Sequence, residues 1–455
     1  MKELLIKDGL IVNADATFRA DVLVSNGQIS RIADRIAETA DMQVVDASEK
    51  LVIPGGIDPH VHLALPTPAG CSCDDFVSGN LAALRGGTTS LIDFVTPGRR
   101  ESLTEALKVR RWELAGGGKR EAGSGRQVND CGVNLRFHVG VTSWNLDTAE
   151  EMRRCVKEEG IVSFKVYLAY TDSIGVDYTA LERIMETAAA LGAVVAVHCE
   201  DGIGIAANIA NLRTLGRLNP GFHALSRPAA LETAAVEKVL ELAALTGCRV
   251  YIVHVSCARS LTLIAAAKQR GVQVEAETCP HYLLFDDEVY NVKDIEVLPF
   301  VLSPPIRSRS DQAALWMALS DGLLAVVSTD HCPFNLHGQK DIGLYDFTKV
   351  PNGAGGLEFR LALLYTYGVL RQRISLNQWV GLCSTHAADL FGMSRKGRIA
   401  EGMDADLVVW DPKHKSIISS QHMESRCDHT IYEGFSVQGR AETVILSGRI
   451  CFQAR

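Results

Sequence analysis

The chain has 455 residues, of which 47% are hydrophobic and 22% are charged, values typical of a soluble globular protein with a sizeable core. The formal net charge is −8 and the basic residues are dispersed. This argues against a nucleic-acid partner or an anionic-membrane partner, because both require a basic patch. The sequence shows no secretory signal and no transmembrane-length apolar run. Its twelve cysteines lie mostly singly, which indicates reduced thiols and a cytoplasmic location.

Both ends of the chain are rich in predicted β-strands. Residues 1–53 alternate apolar and polar side chains, with a turn signal at Asn26-Gly27, and residues 394–455 show the same alternation. Because two similar ends flank a different middle, we expect one small β-sandwich domain built from both termini, 1–53 and 394–455.

The middle of the chain, 54–393, alternates strand-like and helical segments. The eight predicted strands are 51–57, 88–94, 134–141, 163–170, 193–200, 249–256, 272–279 and 324–331. Most are nearly continuous apolar runs, as expected for parallel strands that are buried on both faces. The fold class is therefore α/β, and we predict a TIM-type (β/α)8 barrel with insertions rather than a doubly wound sheet. Residues 116–130 are Gly-rich and charged, which predicts an exposed loop.

Metal-ligand side chains recur at or near the ends of five predicted strands. They are His60, His62, Lys165, His198, His254 and Asp330. His60 and His62 alternate along one strand, so their rings project to the same face. A single strand-end histidine is more often a hydrogen-bonded core residue than a ligand. Barrel active sites, however, collect residues from the C-terminal ends of several strands, so the whole set predicts one metal centre at that mouth.

Lys165 is the least conventional of these six residues. A free ammonium is costly to bury inside the apolar run SFKVYLAY. Lys165 could pair with a single carboxylate, or it could be carbamylated by carbon dioxide and so become a carboxylate that bridges two metals. Four histidines and one aspartate need a bridging anion, which favours the carbamate. We therefore predict two divalent metal ions per chain, zinc first, with manganese or cobalt as alternatives.

A series of motifs in chain order carries a family resemblance. PGGIDPHVHL, SFKVYLAY, HCE, IVHVS, ETCPHYL, SPPIR, STDHCPF and PNGAGGLE resemble the dihydropyrimidinase/D-hydantoinase family of cyclic amidohydrolases, and the resemblance covers nearly the whole chain. It implies that one metal is bound by His60, His62 and Asp330. It also implies that His198 and His254 bind the other metal and that carbamylated Lys165 bridges the two.

The resemblance also implies catalytic and substrate-binding roles. Asp330 would act as general base and then general acid, and the Tyr170 hydroxyl would donate a hydrogen bond to the developing oxyanion. Ser303 and Asn352 match positions that hold the cyclic imide, largely through backbone groups. The two wall residues suggested for the pocket are Leu65 and Tyr167.

The loop at 64–75 departs from the commoner family patterns, because it carries two prolines and the pair Cys71 and Cys73. The preferred ring substituent and its stereochemistry therefore stay open. Two thiolates alone would also make a poor zinc site, so we interpret the cysteine pair as part of a plain loop.

The predicted function is a dinuclear metal hydrolase that uses a metal-bridging hydroxide to open the C–N bond of hydantoins or dihydropyrimidines, giving N-carbamoyl amino acids. Allantoinase is the nearest alternative. A dihydroorotase is disfavoured, because that family typically has an arginine just after the HxH pair, where this chain has Leu63-Ala64-Leu65. A non-catalytic scaffold of the same fold is disfavoured because all six ligands are present. The resemblance implies a homotetramer or a dimer.

Overall fold

The structure is a computed structural model that describes residues 2–116 and 132–454. Apart from Gly116, the predicted loop at 116–130 lies outside the described residues. Two eight-stranded sheets dominate the fold, and a small hairpin, Pro66–Thr67 with Gly70–Cys71, lies apart from both. Nowhere in the described ranges is a helix both long and apolar enough to cross a membrane.

The larger unit is a barrel of parallel strands that are neighbours in chain order. Its strands are Gly56–Val61, Thr88–Val95, Asn134–Gly140, Ser163–Tyr167, Val194–His198, Arg249–Ile252, Val274–Thr278 and Val326–Val327. The first and last strands meet through His331, whose carbonyl accepts from the His62 N–H at 2.8 Å. The predicted TIM-type barrel is confirmed, and this contact nearly closes it at the C-terminal ends of the strands.

Helices pack around the barrel. Those of ten or more residues are Phe76–Arg85, Leu103–Leu114, Leu146–Lys157, Tyr178–Leu191, Gly202–Thr214, Ala229–Thr246, Ala258–Gln269 and Arg309–Ser320. Shorter helical segments include His223–Ser226, Pro280–Leu284, Asp294–Val297, Arg360–Leu364, Leu376–Val380 and His386–Leu390. Local sequence sets their ends: Asp75 begins one helix with a capping box, and Gly192 ends another in the left-handed conformation at φ 69°.

The second sheet takes strands from both termini, as predicted. They are Leu4–Val12, Thr17–Ser25, Gln28–Ala33, Gln43–Asp46, Leu51–Pro54, Leu407–Ile417, Ser436–Leu446 and Arg449–Gln453. All eight belong to one sheet, in which Leu51–Pro54 pairs with Leu407–Ile417 in antiparallel register. This separate β-rich unit confirms that the two ends of the chain fold together.

The predicted first barrel strand, 51–57, was wrong in its bounds. Leu51–Pro54 belongs to the terminal sheet, and the barrel strand is Gly56–Val61. Gly55 separates the two strands. A Cβ there would lie 2.1 Å from Thr89 Oγ1, so the close approach to the neighbouring strand requires glycine. Because residues 51–57 are apolar throughout and both strands are fully buried, hydrophobic patterning could not separate them.

Candidate metal centre

The HxH pair ends the first barrel strand and faces Asp330. His60 Nε2 lies 3.0 Å and His62 Nε2 lies 3.2 Å from Asp330 Oδ1. These three ligand atoms all lie within 4.8 Å of one another. Burial alone would raise the pKa of Asp330, but the two histidines hold this pKa well below its usual range. An ionised carboxylate beside two imidazoles has the donor types that zinc prefers.

A buried carboxylate orients His60. Glu277, in the seventh strand, hydrogen-bonds to His60 Nδ1 and also accepts a hydrogen bond of 2.7 Å from the Tyr251 hydroxyl. Although burial lowers the pKa of His60, Asp330 and Glu277 raise it to about 9. A carboxylate on one ring nitrogen leaves the other nitrogen, Nε2, available for a metal.

His198 and His254 form a second pair at the ends of the neighbouring fifth and sixth strands. His198 Nδ1 lies 2.9 Å from His254 Nε2. Burial lowers the pKa of both rings, that of His254 most strongly, so both are neutral, the form that binds metals. His198 Nε2 contacts Glu200 at 2.8 Å, and Arg227 pairs with the same carboxylate at 2.7 Å.

Lys165 lies in the fourth strand and is completely buried. Its Nζ has no hydrogen-bond partner and lies 4.9 Å from the centroid of the Phe94 ring. Burial lowers its pKa to about 8. The alternative prediction was that Lys165 pairs with one carboxylate. Within residues 2–116 and 132–454, no carboxylate accepts a hydrogen bond from Lys165 Nζ. A buried lysine amine without a hydrogen-bond partner is compatible with carbamylation, which would give a group that binds metal ions.

Strained backbone conformations occur at this mouth of the barrel. Tyr170, His254 and Asp330 have positive φ values of 60°, 40° and 48°. Each lies just beyond the strand that leads to it, where the chain bends towards the cavity. Non-glycine residues in this region cost on the order of 1–3 kcal/mol each, and such strain is typical of functional sites.

A cavity of about 720 Å³ lies at the same mouth. It brings together every predicted site residue: His60, His62, Leu65, Lys165, Tyr167, Tyr170, His198, His254, Ser303, Asp330 and Asn352. The Asn352 side-chain amide donates to Ser303 Oγ at 3.0 Å, so these two residues form one polar patch. The volume suits a small ligand.

Sequence reasoning missed Glu277 and Glu200. Both are buried carboxylates at the ends of apolar strands, which is the same signal that singled out Asp330. His331 follows Asp330 directly and supports the closure of the barrel. Its Nε2 lies 2.9 Å from Asp74 Oδ2, and its backbone joins the first and last strands.

Histidines and an aspartate at the strand ends around one cavity are the arrangement that metal-dependent hydrolases of the barrel class have. A sequence model of the Amidohydrolase family matches residues 51–451. The D-hydantoinase of Geobacillus stearothermophilus is 40% identical, over 98% of this chain and 92% of that protein. Dihydropyrimidinase 2 of Caenorhabditis briggsae is 39% identical, over 98% of this chain and 84% of that protein.

Similarity to a solved structure indicates the same family as these sequence relatives. The dihydropyrimidinase crystal structure from Brevibacillus agri superposes with a TM-score of 0.94 at 37% identity, covering 99% of this chain and 95% of that one. The chain therefore belongs to the amidohydrolase family, in its dihydropyrimidinase/D-hydantoinase group, and is a hydrolase of C–N bonds in cyclic amides. The predicted family and enzyme class are confirmed.

Proposed function

We propose that this hydrolase opens the ring of hydantoins or dihydropyrimidines and releases N-carbamoyl amino acids. The observation that carries the proposal is the buried, unpartnered amine of Lys165 in the cavity that also holds the two histidine groups. A one-metal hydrolase would have no use for a lysine here. The relatives named as D-hydantoinase and dihydropyrimidinase support the same substrates.

The proposed site holds two divalent metal ions. One would be bound by His60, His62 and Asp330, the other by His198 Nδ1 and His254 Nε2, and the carbamate on Lys165 would bridge them. The donor set of nitrogen and oxygen suits zinc, with manganese or cobalt as alternatives. When bound, such a pair supplies a hydroxide nucleophile near neutral pH and polarises the amide carbonyl.

The side chains of the cavity supply the remaining chemistry. Asp330 accepts the proton of the attacking water and passes it to the leaving ring nitrogen. The Tyr170 hydroxyl donates to the oxygen that becomes negative in the transition state. Ser303 and Asn352 orient the ring. Leu65 and Tyr167 contact its substituent.

The experiment that tests this function is a set of steady-state kinetic measurements on protein reconstituted with zinc, manganese or cobalt plus bicarbonate. The substrates are hydantoin, both enantiomers of 5-substituted hydantoins, dihydrouracil and allantoin. We expect kcat/KM for a hydantoin or for dihydrouracil to exceed that for allantoin, with the N-carbamoyl product seen by mass spectrometry. A preference for allantoin would instead support an allantoinase. Protein that is purified metal-free and stays inactive after reconstitution with zinc, manganese or cobalt plus bicarbonate would support a non-catalytic scaffold.

Replacing Tyr170 with phenylalanine should lower kcat by roughly 10²-fold to 10³-fold, the usual effect of removing one oxyanion donor. Metal content should not change, because the hydroxyl is not a proposed ligand. Tyr167→Phe is the matched control. Its hydroxyl lies 3.5 Å from Thr96 Oγ1, so its loss should change KM more than kcat. Equal kcat losses in both variants would assign Tyr170 no special role.

We propose a cytoplasmic enzyme that forms a homotetramer or a dimer. Every cysteine in the described part of the chain is a free thiol, which fits a reducing compartment.

A further inference from the structure

Three segments of the chain meet beside the cavity wall: 64–75, 331–340 and 425–429. The Cys73 N–H donates to the Pro333 carbonyl at 2.8 Å, and the Asp428 N–H donates to Asn335 Oδ1 at 3.0 Å. The loop that carries Leu65 is therefore joined, through the segment after the last barrel strand, to residues near the C-terminus.

Four metal-ligand side chains converge at this junction. Cys427 Sγ lies 3.5 Å from His429 Nδ1, which lies 3.0 Å from Asp428 Oδ1. The ligand atoms of these three residues all lie within 4.8 Å of one another. The Cys73 side chain is a neighbour of Cys427 and donates a hydrogen bond to Gln339 Oε1 at 3.4 Å, so a second sulfur lies beside the cluster. Cys427 is buried and the His429 side chain is only 15% exposed.

We propose that Cys73, Cys427 and His429, completed by Asp428, form a zinc site distinct from the hydrolytic centre, which we call the thiolate site. Two thiolates, an imidazole and a carboxylate are a donor set that suits tetrahedral zinc. Zinc–sulfur and zinc–nitrogen bonds of about 2.3 and 2.0 Å place two tetrahedral ligand atoms about 3.5 Å apart. The observed separation between Cys427 Sγ and His429 Nδ1 matches this spacing.

The surroundings of the cluster support metal binding in one further way, because the neighbouring backbone holds the Asp428 carboxylate in place. The backbone N–H groups of Leu336 and His337 donate to the Asp428 carboxylate at 2.7 and 3.1 Å. Such outer contacts orient a ligand before the metal arrives.

The structure also separates the two cysteines of the loop. Cys71 is exposed and lines the catalytic cavity, whereas Cys73 turns away from the cavity towards Cys427. Zinc at the thiolate site would therefore anchor the loop 64–75, and with it the wall residue Leu65, to the C-terminal segment. This inference does not rest on the proposed substrate.

The test uses the full chain, purified under reducing conditions, stripped of metal and reloaded with cobalt(II) plus bicarbonate. Cobalt bound to thiolates gives a sulfur-to-metal charge-transfer absorption, which the histidine, aspartate and carbamate ligands of the hydrolytic centre cannot give. We expect this absorption in the unaltered protein. Cys427→Ser and His429→Gln should abolish or halve it and lower the metal content by about one ion per chain. Cys71→Ser, on the same loop, should keep both.

The test depends on the difference of one metal ion per chain between the variants and does not depend on the total metal content. If Cys427→Ser does not fold, His429→Gln alone decides the test. The His429 ring reaches the surface, so its replacement should be tolerated, and thermal unfolding checks that this variant folds. Absence of the absorption in the unaltered protein overturns the site. Undiminished absorption with unchanged metal content in His429→Gln also overturns it. A Cys73–Cys427 disulfide found by mass spectrometry under the same reducing conditions also overturns it.

Discussion

Replacing Lys165 with alanine is expected to lower kcat/KM by roughly 10³-fold or more, a loss of about 4 kcal/mol of transition-state stabilisation. About half or more of the bound metal should be lost as well. The reason is that the carbamate is the only ligand in the proposed set that both metal positions share. The measurements are steady-state kinetics and metal analysis per chain.

A rescue experiment separates the carbamate from a simple packing role. Short carboxylates such as acetate or propionate should partly restore metal content and rate in Lys165→Ala, because they can occupy the vacated space and bridge. Lys165→Arg is the matched control: it keeps a buried cation, cannot be carbamylated and leaves no such space, so added carboxylate should not rescue it. Full activity in Lys165→Ala without any additive would rule out the bridge.

Much of the fold could be predicted because parallel strands that are buried on both faces are continuous apolar runs. The order of these runs gave the barrel, and the alternating ends gave the terminal sheet. Strand bounds were less predictable. The run around Gly55 changes sheets without changing its hydrophobic character, and the sixth strand ends at Ile252 because His254 takes a positive φ. Backbone strain of this kind leaves no signal in composition.

The metal-ligand residues could be predicted because each is a polar residue at the end of an apolar strand, and the barrel brings those ends together. Glu277 and Glu200 share the strand-end position of Asp330 in the sequence, but only the atoms they contact show that they orient histidines. The same limit applies to the thiolate site. Cys73 and Cys427 are 354 positions apart, and no periodic pattern connects a loop to a segment near the C-terminus.

Replacing Asp330 with asparagine is expected to lower kcat by roughly 10²-fold to 10⁴-fold, the usual contribution of a general acid–base group. Much of the metal should remain bound, because the amide oxygen can still face His60 and His62 and the second histidine pair is intact. An amide cannot accept and return the proton that the leaving nitrogen requires. The measurements are kcat and metal content on the same preparation.

Asp58→Asn makes the same chemical change on the neighbouring strand and serves as the control. The Asp58 carboxylate accepts from the Thr329 hydroxyl at 2.6 Å, is completely buried and does not line the cavity. Its replacement should lower thermal stability while most of kcat is kept, since it contacts no reacting atom. If both variants lose kcat equally, the loss reflects disturbed packing behind the HxH pair. If Asp330→Asn keeps both metal and rate, Asp330 is a ligand only, and another group must carry the proton to the leaving nitrogen.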